Sequence, residues 1–106
     1  MTTEELKHLF DQFSDDIDFD YPPPSELMVS TRGDLNALLL LDKLLPVAAT
    51  YHGLAPDLIS CAEHDQLWLA TDVEELAKVI TREQVQALVF FGVFYDPDVD
   101  SLSMFV

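Results

Sequence analysis

The sequence predicts an α+β fold in which about four helices pack on one side of a small, mostly antiparallel sheet built from two hairpins. Three observations support this prediction. Helix-start signals recur four times, apolar residues follow a helical period in the first half, and two segments after residue 57 change to a period of two. The length of 106 residues and the hydrophobic content of 49% suit one core, so residues 1–106 are expected to form a single acidic domain.

The first helix is predicted over about residues 3–13. Thr2 and Glu5 have the spacing of a capping box, and acidic residues in the first turn suit the helix dipole. One apolar face follows at helical spacing, formed by Leu6, Leu9, Phe10 and Phe13.

Residues 14–21 alternate acids with large apolar residues. This pattern leaves two alternatives open, an edge strand or an extended segment that lays Ile17, Phe19 and Tyr21 on the body of the protein. The prolines at 22–24 then end regular structure and favour a stiff polyproline II connection.

The second helix is predicted to be the central buried one. Thr31 or Asp34 is expected to cap it, and the apolar residues between Leu35 and Leu45 cover most of its circumference. Pro46 ends it, because proline removes a backbone donor that the helix needs.

A first hairpin is predicted where residues 58–63 and 66–70 flank a short turn. Cys61 is expected to face inward with Ile59, while His64 lies at the turn.

Two helices and a second hairpin complete the predicted fold. The helices begin at residues 71–75 and at Thr81, which has capping-box spacing with Gln84. The hairpin strands are predicted at residues 93–95 and 102–106, on either side of an acidic turn, so that the last strand contains the C-terminus.

The charge is the strongest compositional feature. Twenty Asp and Glu stand against five Lys and Arg, giving a formal net charge of −15. A small domain needs a magnitude of only about 2–8 for solubility. The excess favours a partner with a basic surface and disfavours direct contact with nucleic acid or anionic membrane, because both are polyanions.

Other features of the sequence favour a cytoplasmic protein. No apolar run is long enough to span a bilayer, and the N-terminus lacks the basic start and apolar stretch of a secretion signal. The single cysteine excludes an intrachain disulfide, which suits a reducing compartment.

The acidic runs do not match a metal-binding motif. Asp16, Asp18 and Asp20 have the rhythm of a calcium loop, but the sixth and twelfth positions hold Tyr21 and Leu27 instead of glycine and glutamate. Zinc would need three or four ligands, and the Cys61-x-x-His64 pair alone does not supply them. No metal and no cofactor are therefore expected.

The sequence also contains no recognisable catalytic motif. The chain has only three glycines, no phosphate-cradling loop and no nucleophile elbow. The paired carboxylates lie in polar surroundings, which would not raise a pKa for acid catalysis. The protein is expected not to be an enzyme.

The leading hypothesis is a non-enzymatic binding protein that occupies a basic surface of a partner. Where that surface normally holds DNA or RNA, the acids would stand in for phosphates, as suits an inhibitor or immunity protein of a phage or other mobile element. Aromatic rings among acids resemble a protein-binding patch. The candidate partner-binding residues are Asp15, Asp16, Asp18, Asp20 and Tyr21, with Asp96, Asp98 and Asp100 second.

Two alternatives remain open at this stage. An oligomerising scaffold protein, for instance a homodimer, would pair through an apolar C-terminal strand at the edge of the sheet. A cation-responsive module would use the aspartate clusters for weak calcium binding.

Overall fold

The computed structural model describes residues 1–50 and 52–105, which form four α-helices, one 3₁₀ turn and a four-stranded antiparallel sheet. The helices are α1 (Thr3–Asp15), α2 (Gly33–Leu44), α3 (Val73–Ala77) and α4 (Arg82–Phe90), and the 3₁₀ turn is Ser25–Leu27. The strands are β1 (Ile59–Glu63), β2 (Gln66–Leu69), β3 (Val93–Asp96) and β4 (Ser101–Phe105). The predicted α+β fold with two hairpins is confirmed.

The sheet order is β1-β2-β4-β3, so the two hairpins join through β2 and β4. The C-terminal strand therefore lies inside the sheet, and the expectation of an edge strand there is wrong. β4 pairs with β2 on one side and with β3 on the other, and Leu102, Ser103 and Met104 are almost completely buried, so both faces of this strand are covered. Val106, the predicted end of this strand, lies outside the described residues.

The capping signals begin three of the four described helices. Thr2 caps α1, Asp72 caps α3, and Thr81 forms a complete capping box with Gln84 at the start of α4. Such side chains satisfy backbone N–H groups that the first helical turn leaves without partners.

The start of α2 differs from the prediction. Its N-cap is Arg32, which makes no side-chain cap, so neither Thr31 nor Asp34 has the expected role. A methyl group at Gly33 would lie 3.3 Å from the carbonyl oxygen of Phe91. The close passage of two backbones, rather than a capping side chain, therefore accompanies the start of this helix.

The prediction that α2 is central is wrong, because α1 and α4 each pack against three other elements whereas α2 packs mainly against α4. α4 contacts α1, α2 and β3, and it buries Val85, Leu88 and Val89. α2 is buried on one side only, with Leu35 and Leu39 exposed by 44% and 52%. A run of leucines shows how apolar a helix is, but the number of neighbours around it depends on the whole fold.

The orientation of Cys61 is also corrected. β1 is an edge strand in which every residue is exposed, and its register shifts between Ile59 and Cys61. This bulge pairs Cys61 with Trp68, whose neighbour Leu69 faces the core, so Cys61 lies on the sheet face away from the helices. His64 lies in the turn, as predicted.

Candidate partner-binding surface

Two predicted aspartates lie at the C-terminal end of α1. Asp15 is the last helical residue and Asp16 is the C-cap. The C-terminal end of a helix carries partial negative charge, so a carboxylate there is destabilising, by about 0.3–1 kcal/mol at exposed positions. In the four described helices the first turns carry acids, where the dipole favours them. These two carboxylates therefore stand where helix stability disfavours them.

The following residues form a turn instead of an edge strand, and of the alternative only part holds, since Ile17 lies beside Phe13 and α4 but is exposed by 38%. The carboxylate of Asp18 accepts a hydrogen bond from the backbone N–H of Asp20 at 3.0 Å, and the N–H of Tyr21 donates to the Asp18 carbonyl oxygen at 3.3 Å. Aspartate favours such turns because its side chain can replace a backbone acceptor. The turn leaves Phe19 and Tyr21 exposed by 68% and 74%.

One neighbour outside this segment completes an aromatic cluster. The Phe19 ring lies 5.5 Å from the ring of Phe90, centroid to centroid, in a tilted arrangement. A hollow of about 380 Å³ lies between residues 21–24 and the exposed side of α4. We call the following set the acidic aromatic surface: Asp15, Asp16, Asp18, Phe19, Asp20, Tyr21 and Phe90.

The carboxylates of this surface are electrostatically open. In residues 1–50 and 52–105 none of its four aspartates lies within 4.0 Å of a basic nitrogen. The guanidinium carbon of Arg82 lies 5.1 Å from the centroid of the Phe13 ring, and within the described residues Arg82 makes no ion pair with these aspartates. Four negative charges and two exposed rings are thus presented together.

The second predicted cluster, in the turn between β3 and β4, is engaged within the protein. The Asp96 carboxylate accepts hydrogen bonds from the indole of Trp68 at 3.3 Å and the amide of Gln66 at 3.4 Å. It also accepts from the backbone N–H of Asp98 at 3.0 Å. Asp96 therefore ties the turn to the outer face of the sheet, whereas Asp98 stays exposed.

Asp100 fastens the same turn to α1. Its carboxylate accepts a hydrogen bond from the Tyr95 hydroxyl and lies 3.2 Å from the Lys7 ammonium. The hydrogen bond from Tyr95, and then Lys7, lowers the pKa of Asp100, while the contacts with Tyr95 and Asp100 raise the pKa of Lys7. Hydrogen bonding to Asp100 also raises the pKa of Tyr95. The three groups act together as a structural contact.

The two clusters are not brought together. Lys7, beside the second cluster, and Asp16, in the first, are nine residues apart on α1 and so about 14 Å apart along its axis. The predicted residues therefore form two separate sites, of which the first is open and the second largely engaged.

Sequence reasoning missed Phe90. The core positions of α4 are Val85, Leu88 and Val89, and Phe90 lies beside that stripe and remains half-buried. A large aromatic residue next to the core stripe of a helix was the available signal.

Comparisons with known proteins add no relative. The chain matches no protein-family model, and neither the curated proteins nor the solved structures gave a significant match. Within the described residues, no group of three or more His, Cys, Asp or Glu could hold a metal ion, and no helix combines the length and apolarity for a bilayer crossing.

Proposed function

We propose that this protein is a non-enzymatic binding protein that occupies a basic surface of a partner through the acidic aromatic surface. One observation carries the proposal. Asp15 and Asp16 stand at the end of a helix where they reduce its stability, without an ion pair among the described residues. Positions that violate local stability rules are where functional demands are expected.

The chemistry of the surface suits a protein partner. The exposed rings of Phe19 and Tyr21 can be buried in a partner's pockets, and aromatic anchors supply much of the affinity of such interfaces. The surrounding carboxylates attract a basic surface from a distance and disfavour acidic ones.

A nucleic-acid-binding protein is the partner class that this chemistry favours. Its binding surface is rich in Lys and Arg placed for phosphates. Four aspartates within residues 15–20 would engage those cations in place of phosphates. An inhibitor or immunity protein of a phage or other mobile element would work in this way.

Affinity capture from the host lysate tests the proposal, with the retained proteins identified by mass spectrometry at low and high salt. The wild type is expected to retain a basic protein in a salt-sensitive manner. The triple variant Asp16→Asn, Asp18→Asn, Asp20→Asn is expected to lose it.

A control variant with the same charge change separates the surface from bulk acidity. Glu26→Gln, Glu63→Gln and Asp65→Asn neutralise three exposed carboxylates outside the acidic aromatic surface. This variant should retain the partner. Equal loss from both variants would contradict the proposal, because it would assign binding to net charge alone.

A further inference from the structure

The protein has an apolar groove of about 440 Å³ that shares no residue with the acidic aromatic surface. It is formed by the end of α2, the loop before β1 and the start of α3. Its apolar lining consists of Leu41, Leu45, Pro46, Val47, Ala55, Pro56, Leu58 and Ala70.

Among the described residues, all charged side chains that line the groove are acidic. They are Asp42, Asp57, Asp72 and Glu75. Two of these carboxylates are engaged, since Asp72 caps α3 and Glu75 lies 2.9 Å from the ammonium of Lys78. Asp42 and Asp57 make no ion pair with the part of the chain that the structure describes.

We infer that this groove binds a basic amphipathic polypeptide segment of a partner protein. Apolar side chains of that segment occupy the groove, and its Lys or Arg side chains face Asp42 and Asp57. Charge complementarity selects this occupant, because anionic lipid, nucleic acid and a second copy of this chain, which carries −15 itself, are all repelled.

Synthetic peptides test the inference directly. The probe is an 18-residue peptide (about five helical turns) of Leu and Lys, with the leucines on one face. A Leu/Glu peptide and a Ser/Lys peptide of the same pattern serve as comparisons, and binding is measured by fluorescence anisotropy. Only the Leu/Lys peptide is expected to bind. Equal binding of the Ser/Lys peptide would overturn the inference, because charge alone would then suffice.

Groove variants localise the binding. Ala55→Trp fills the groove and is expected to weaken the affinity for the Leu/Lys peptide by about tenfold or more, whereas the matched control Ala48→Trp, outside the groove, leaves it unchanged. Unchanged affinity in Ala55→Trp would contradict the inference.

One further variant keeps the two sites apart. The triple variant Asp16→Asn, Asp18→Asn, Asp20→Asn should bind the Leu/Lys peptide as well as the wild type does. If it loses the peptide while Ala55→Trp keeps it, the peptide binds the acidic aromatic surface and the groove assignment is wrong. If the triple variant binds the peptide and Ala55→Trp does not, the peptide binds in the groove, and this conclusion does not depend on the proposed function.

Discussion

Two segments of this protein carry the same sequence rhythm and have different roles. Asp16, Asp18 and Asp20 recur at every second position, and so do the acids of residues 96–100. In the second segment Asp96 accepts hydrogen bonds from two side chains of β2, and Asp100 accepts one from Tyr95 and forms an ion pair with Lys7 of α1. In the first, the contacts made by the carboxylates are local to the turn. Spacing alone therefore does not decide whether an acidic run is structural or open to a partner.

The surroundings of the two segments explain the difference. Residues 96–100 connect neighbouring strands, so donors on the sheet and on α1 lie within reach. Residues 16–20 instead lie between a helix end and the prolines at 22–24, which have no backbone N–H to donate. Within the described residues, the carboxylates of the first segment accept a hydrogen bond from the backbone N–H of Asp20 and make no ion pair.

The largest expected effect is a difference in the free energy of unfolding between variants of the two acidic segments. Asp96→Ala should lower the free energy of unfolding by about 2 kcal/mol, because Trp68 and Gln66 lose their half-buried acceptor. Asp18→Ala should change it by less than about 0.5 kcal/mol, as is usual for surface substitutions. Urea unfolding of both variants measures the difference. A comparable loss in Asp18→Ala would remove the distinction between a structural and an open segment.

A smaller effect at Asp100 should depend on pH. Asn suits the left-handed backbone at this position (φ 50°), so Asp100→Asn removes the charge without reshaping the turn. Because the pKa of Asp100 is lowered from 3.8, its contribution is present above that value and is lost as the pH falls through the folded-state pKa. Lys7, with its pKa raised from 10.5, loses its contribution only as the pH rises through its own folded-state value.

Unfolding measured at about pH 7 and at about pH 2 checks this expectation. Asp100→Asn should be less stable than the wild type at the higher pH, and the two should converge at the lower one. A difference that stays constant between the two conditions would show that the variant acts through shape instead of charge.

At the end of α1 the expected change has the opposite sign. Asp15→Lys and Asp16→Lys should each raise the free energy of unfolding by about 0.5 kcal/mol, because a cation suits the C-terminal end of a helix. Both should weaken partner capture. Glu4→Lys, in the first turn of the same helix, is the control and should lower stability. A loss of stability in the first two variants would mean that these carboxylates hold the fold together.

Local signals predicted most of the fold. Thr2, Asp72 and Thr81 mark helix starts through contacts within three residues, and changes of apolar period mark both hairpins. Two of the errors concern contacts between distant residues. The start of α2 at Gly33 involves the backbone of Phe91, and the interior position of β4 depends on its pairing with β2.

The candidate site, like the fold, was predictable only in its local features. The rhythm of aspartates identified both acidic segments, but it could not rank them by availability. That ranking depends mainly on Trp68 and Lys7, which lie far from the aspartates in sequence and next to them in the fold.

The smallest expected effect on stability tests the aromatic part of the proposal. Tyr21→Ala should change the free energy of unfolding by less than about 0.5 kcal/mol, because 74% of this residue is exposed. It should nevertheless weaken partner capture, since a buried aromatic anchor is lost. Val99→Ala, at an exposed apolar residue in the other acidic segment, should leave both quantities unchanged. If the two variants capture the partner equally well, the exposed ring contributes nothing, and binding would depend on the carboxylates alone.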